Sequence, residues 1–214
     1  DCAFTLDECN AFPLDMAEYR LEGRQEYEWI GPLEVLKLDR VLRDICDLPY
    51  RSGQMLQPWA RPAARKRNGK GVSLLFTFKA EKMPAEDIHL VIEKPSDYMC
   101  KLNDAPLALI DCGMWIDSSL RKVKLPLNLI KKGINKIELS TAYGPDSAIE
   151  ALYIIGDFGF RREADGMPVM TGLPKAIGLG NWADYNLGTY TGGLGYHMKD
   201  RKSTRLNSSH RIRS

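Results

Sequence analysis

With 214 residues, 44% of them hydrophobic, the chain is long enough for one large domain or two small ones with a true core. No stretch nears the run of roughly 20 apolar residues that a membrane-spanning helix needs. The net charge of +2 is uneven: residues 199–214 hold six Lys or Arg against one Asp, a local +5, so residues 1–198 carry −3 and form a mildly acidic body.

The chain starts at Asp1 with neither a methionine nor a signal-peptide pattern, so an internal fragment is expected. The segment PLEVLKLDRVLRDICDL (32–48) spaces Leu33, Leu36, Val41, Ile45 and Leu48 as a helix does, with Pro32 suited to a first turn. A helix is expected near 33–46; the alternation in Leu33–Leu38 also fits a strand. Residues 49–70 are rich in Pro, Gly and Arg and read as an ordered loop or insertion.

From residue 71 the reading is β. GVSLLFTFKA (71–80), IHLVIEKP (88–95), YMCKLND (98–104), PLALI (106–110), GMWID (113–117), RKVKLPL (121–127), INKIELSTAY (134–143) and AIEALYIIGDF (148–158) are short runs separated by turn residues. That spacing indicates an antiparallel sandwich or barrel. Apolar side chains on both faces of 148–158 mark it as a central strand covered on both sides. The basic tail lacks apolar periodicity, so 201–214 is expected to be disordered; its STRLNSSH stretch resembles translated adapter sequence and is read as non-native.

Five cysteines (Cys2, Cys9, Cys46, Cys100, Cys112) contain no C-x-x-C pair, and His89, His197 and His210 do not complete a zinc site. Neither a metal nor a cofactor is expected. Buried, reduced thiols are, which favours a reducing compartment and hence the cytoplasm over the periplasm or secretion.

Gly156-Asp157-Phe158-Gly159 contains the tripeptide with which protein kinases hold magnesium. A kinase also needs a Gly-rich loop, a strand lysine and a catalytic loop upstream in that order. Here Leu42-Arg43-Asp44 lacks the histidine and asparagine, and Val91-Ile92-Glu93-Lys94 follows it rather than preceding it. The tetrapeptide therefore reads as a strand end, with Gly156 allowing a bulge, Asp157 bonding the turn and Phe158 filling the end of the core; a calcium-type oxygen ligand at Asp157 is the alternative.

Arg61, Arg65, Lys66, Arg67 and Lys70 could contact phosphates, but Trp59 is their only nearby aromatic and the body is acidic. A solvated loop is expected, with no nucleic-acid partner and no membrane. Carbohydrate sites pair aromatic faces with hydroxyl-binding polar groups, which makes Trp182, Tyr190, Trp115 and Asp117 the candidate contacts. An alternating strand Trp such as Trp115 is also a natural core residue. Glu138 and Glu150 lie within predicted strands, and no carboxylate pair is identifiable as catalytic.

Residues 98–160 resemble the galactose-binding-like jelly roll that accompanies glycoside hydrolases. Leu102-Asn103-Asp104 stands where Val-Asn-Gly is usual, Trp115-Ile116-Asp117 follows, and Lys132-Gly133-Ile134-Asn135 matches the turn before an apolar strand. Ile149–Phe158 is similar to the "IEA-x-YLLGDF" strand of large bacterial alpha-L-rhamnosidase-like hydrolases. Phe4-Thr5-Leu6-Asp7 is similar to their "LTLD" strand, and Gly180–Gly192 to their "GDW…PFYSG" segment, with Asn181 and Ala183 differing.

The resemblance implies a mostly β, antiparallel jelly-roll β-sandwich of galactose-binding-like type with a short helical insertion. It spans 1–200, with a core at 71–160, an insertion at 32–70 and a return segment at 161–200. The implied role is non-catalytic, as an accessory region packed on the catalytic domain of the same parent chain and in contact with oligosaccharide. A stand-alone carbohydrate-binding module, or a hydrolase fragment keeping part of the active site, are the alternatives. No catalytic residue is assigned; Asp157, Gly156, Asn103, Gly133 and Asn135 are expected to hold turns.

Overall fold

The computed structural model describes residues 2–23, 28–50 and 69–198, and the strand at 210–212. The architecture is mostly β, with two antiparallel sheets packed face to face. The smaller sheet has five strands in the order β2 (Asn10–Leu14), β12 (Leu152–Gly156), β6 (Ile88–Glu93), β10 (Leu120–Leu125) and β9 (Asp111–Met114).

The larger sheet runs β13 (Gly159–Arg162), β14 (Pro168–Thr171), β5 (Lys70–Ala80), β11 (Gly133–Tyr143), β7 (Met99–Leu102) and β8 (Ala105–Leu107). Beside β5, strand β3 (Met16–Leu21) pairs along the first half and carries β4 (Ile30–Glu34) on its far side. The second half of the same edge takes β14 in a parallel pairing.

Period-two alternation explains why these sheets meet. Leu74, Phe76 and Phe78 of β5 and Ile137 and Leu139 of β11 point one way; Ile88, Leu90 and Ile92 of β6 and Leu152 and Ile154 of β12 point back at them. All are essentially buried. Each fully buried aliphatic or aromatic side chain contributes about 1.5–3 kcal/mol, so this layer dominates the favourable side of folding.

Phe12 ties the layers at one end. Its ring stacks on Phe160 at 5.0 Å and meets Phe158 edge-on at 5.4 Å. Pro13 sits in the middle of β2, which is tolerated because β2 is an edge strand paired only with β12.

The helix α1 is Val35–Ile45, and the strand reading of the same segment is met in part by β4, which ends at Glu34. Two expectations are corrected. Pro32 lies in β4 after a cis Gly31–Pro32 peptide, not in the helix's first turn. The centre of the buried face is Val35, Leu38 and Leu42 with Asp39 and Arg43; the predicted Leu33, Val41, Ile45 and Leu48 pack at its margins, while Leu36 is exposed.

A buried ion pair lies on that face. Arg43 Nε donates to Asp39 Oδ2 at 3.0 Å, and its other nitrogens donate to Pro49 O at 2.8 Å and Ser147 O at 2.7 Å. Asp39 Oδ1 accepts from Tyr143 Oη at 2.7 Å and Ile149 N at 3.2 Å, so the helix is bolted to the β11–β12 connection.

A third sheet pairs β1 (Ala3–Leu6), β15 (Leu194–His197) and β16 (His210–Ile212). It covers its own small core of Ile177, Leu187, Tyr190, Leu194 and Tyr196. Within the tail expected to be disordered, 210–212 thus pair as a strand; the rest of 201–214 lies outside the described residues. Trp59 and the basic residues at 61, 65, 66 and 67 also lie outside them, while Lys70 begins β5 and its Nζ donates to Ile45 O at 3.0 Å.

Candidate functional site

The outer face of the smaller sheet, turned away from the core, carries Ala11 and Pro13 of β2, Tyr153 and Ile155 of β12, and His89 and Val91 of β6. On this face lies an open cleft of about 640 Å³ lined by Glu8, Cys9, Ala11, Pro13, Trp115, Ile116, Tyr153 and residues 189–192. Trp115 is half-buried rather than part of the core, correcting its reading as a core residue. Its ring leans on Tyr153 with centroids 5.6 Å apart.

The β9–β10 hairpin sets that ring in place. Trp115 N donates to Leu120 O at 2.9 Å. Asp117 Oδ1 accepts from Ser119 N at 2.7 Å and Ser119 Oγ at 2.8 Å. These bonds, the backbone one first, hold its carboxyl below the usual carboxylate range. Asp117 is therefore spent on its own turn and lines neither cleft. Arg121 Nε braces the hairpin by donating to Asp111 Oδ2 at 2.8 Å.

The opposite wall is Tyr190. Its hydroxyl accepts from Asp7 N at 3.1 Å and Glu8 N at 3.3 Å and donates to Gly193 O at 2.7 Å. Burial raises the phenol above its ordinary value despite those two N–H donors. Tyr190 therefore shapes the site with its ring and has no hydroxyl to offer a ligand.

Beyond Tyr190 a second cleft of about 780 Å³ is lined by Leu179, Asn181, Trp182, Ala183, Tyr190, Thr191 and Tyr196, among others. Trp182 lies 6.0 Å from Tyr190, ring to ring, and its Nε1 donates to Tyr196 Oη at 3.0 Å. Asn181 caps the turn of Trp182–Tyr185 by accepting from Ala183 N at 3.1 Å.

Of the four candidate contacts, Trp115 and Tyr190 thus share the first cleft and Trp182 and Tyr190 the second. Tyr153, Glu8 and Thr191 were missed. Tyr153 had a signal: it is the amphipathic aromatic on the face opposite Leu152 and Ile154. Glu8 and Thr191 had none, because only tertiary structure brings residues 8 and 191 to one wall.

The turn residues sit as follows. Asn103 and Asp104 both have positive φ, 51° and 70°, and close the β7–β8 hairpin. Asn135 is fully buried; its Oδ1 accepts from Lys131 N at 2.7 Å and Asn103 Nδ2 at 2.8 Å, and its Nδ2 donates to Lys131 O at 2.7 Å and Gly133 O at 3.0 Å. Gly133, with φ 97°, makes the intervening turn.

At Gly156 a Cβ would stand 2.6 Å from Ile88 Cγ2, so only glycine fits there. Asp157 departs from expectation. It is exposed and its carboxylate takes no hydrogen bond among the described residues; Asn10 Nδ2 holds the turn instead, donating to Phe158 O at 3.0 Å.

The cysteines also differ from the expected buried set. Only Cys100 is buried; Cys2 and Cys46 are half-buried, and Cys9 and Cys112 are exposed. Burial first, and then the Glu138 carboxylate, push the Cys100 thiol up to about 12, which leaves it unreactive. Glu138 itself is paired with Arg20 at 3.0 Å.

Among the described residues no group of three or more His, Cys, Asp and Glu side chains could hold a metal. Glu8 is the one carboxylate lining either cleft, so these residues do not set a carboxylate pair across them. No protein-family model matches this chain, and no curated protein matches its sequence.

Proposed function

We propose that the chain is a non-catalytic accessory β-sandwich of a glycoside hydrolase, of the jelly-roll, galactose-binding-like type, and that its outer-face cleft contacts carbohydrate. One observation carries the reading: Trp115 presents a half-exposed ring, buttressed by Tyr153, in a cleft with an unspent carboxylate at Glu8. A mostly apolar concavity with a few convergent polar groups is the usual form of a small-ligand site. The family resemblance of residues 98–160 supplies the parent enzyme class, alpha-L-rhamnosidase-like, and the catalytic domain of that parent as the packing partner.

An accessory domain also needs a surface for that partner. Ile110, just before edge strand β9, and Met114, its last residue, are 70% and 57% exposed and supply apolar area suited to it.

Calorimetric titration of the 214-residue chain with rhamnose- and galactose-containing oligosaccharides tests the reading. Millimolar to submillimolar dissociation constants are expected, about −4 to −5 kcal/mol. Trp115→Ala is expected to weaken binding about tenfold, the loss of one aromatic platform. Heat-silent titrations across the panel at millimolar sugar would overturn it.

A further inference from the structure

The two clefts adjoin, because Tyr190 and Thr191 line both. Each contains an aromatic pair, Trp115 on Tyr153 in one and Trp182 beside the shared Tyr190 in the other. The hydrogen-bonding inventory along them is specific. The Glu8 carboxylate, the Thr191 hydroxyl and Asn181 Nδ2 make no hydrogen bond among the described residues, and all three residues are exposed.

An acceptor, a group that does both, and a donor are what vicinal hydroxyls need. No Lys or Arg lines either cleft, and the single charge is negative, so an anionic ligand would meet repulsion without a cation.

We infer that the two clefts form one binding track for a neutral oligosaccharide of several residues, held at Trp115 and Trp182 and passing over Thr191. This rests on the carbohydrate reading of the first cleft and adds length and charge to it. Tyr190 is the positioning residue: its hydroxyl, spent on Asp7, Glu8 and Gly193, fixes the ridge the ligand crosses. Cys9, an exposed thiol lining the first cleft, is a built-in reporter of occupancy.

The test uses the whole chain with galactan, xylan and rhamnan oligosaccharides of one to five residues, and with oligogalacturonides as anionic counterparts. Binding is followed by calorimetry and by protection of Cys9 from iodoacetamide, resolved from Cys112 by peptide mass. At least one neutral series is expected to tighten about tenfold or more between one and four residues, with Cys9 protected and the uronates weaker.

Asn181→Asp keeps the cap acceptor for Ala183 N but removes the donor. Together with Trp182→Phe, it is expected to abolish the gain with length. Length-independent affinity, tighter uronate binding, or variants that keep the gain would overturn the track and leave the single-cleft reading standing. Absence of binding and of Cys9 protection across every series would overturn both.

Discussion

Tyr190→Phe removes one oxygen and keeps the ring, so it isolates what the hydroxyl contributes to the ridge between the clefts. Three partners lose it, unequally. Gly193 O still accepts from Asp7 N at 2.9 Å, so Asp7 and Gly193 keep each other. Glu8 N loses the one partner it has among the described residues, at 3.3 Å. A typical net hydrogen bond is worth about 0.5–1.5 kcal/mol, and water can reach Glu8, so the loss should be about 1.5 kcal/mol. For a chain of this size that lowers Tm by about 3–6 °C.

Amide exchange locates the effect: the Glu8 amide should lose protection about tenfold while Asp7 changes less. The pH dependence gives a second check. The folded phenol is raised, mainly by burial, so the unfolded chain ionises first and stability falls as pH climbs from about 10. The variant should lack that component of the alkaline loss. Unchanged Glu8 protection with a Tm within about 1 °C of the parent would refute the assignment.

Three further outcomes follow from the same structure. Arg43→Ala removes the guanidinium paired with the buried Asp39 carboxylate and should cost about 3–5 kcal/mol in urea unfolding, whereas a loss below about 1 kcal/mol would show that the helix is not bolted down by this pair. Asn135→Asp replaces a double donor by a carboxylate oxygen facing two carbonyls and should destabilise by about 2–4 kcal/mol, read as a fall in the urea midpoint with an unchanged slope. In native protein at pH 8, iodoacetamide should label Cys112 and spare Cys100 until urea unfolds the chain; rapid native labelling of Cys100 would contradict its burial.

The eight strands expected between 71 and 158 each correspond to a strand of the sandwich, because alternation and turn residues are local signals. The first 34 residues were harder to read. Phe12 and Leu14 alternate as strand residues do, but Pro13 between them weakens the strand signal, and residues 10–14 went unassigned. The helix was legible in extent and mostly in its apolar face, since Leu33, Val41, Ile45 and Leu48 pack against the core; Leu36 is exposed, and the buried Asp39–Arg43 pair on that face is something hydrophobic spacing cannot register. At the site, aromatic residue types pointed to Trp115, Trp182 and Tyr190. Their grouping by cleft depends on contacts between residues 8 and 190, about which local sequence carries no information.

The most direct test of carbohydrate contact watches the four tryptophan indoles by 15N-correlated NMR while neutral oligosaccharide is added. The account predicts that the Trp115 signal shifts with a saturable, millimolar-or-tighter curve and that Trp182 follows only with longer oligomers, while Trp29, held under the Arg20 guanidinium, stays still. An unmoved Trp115 indole at saturating sugar would contradict it.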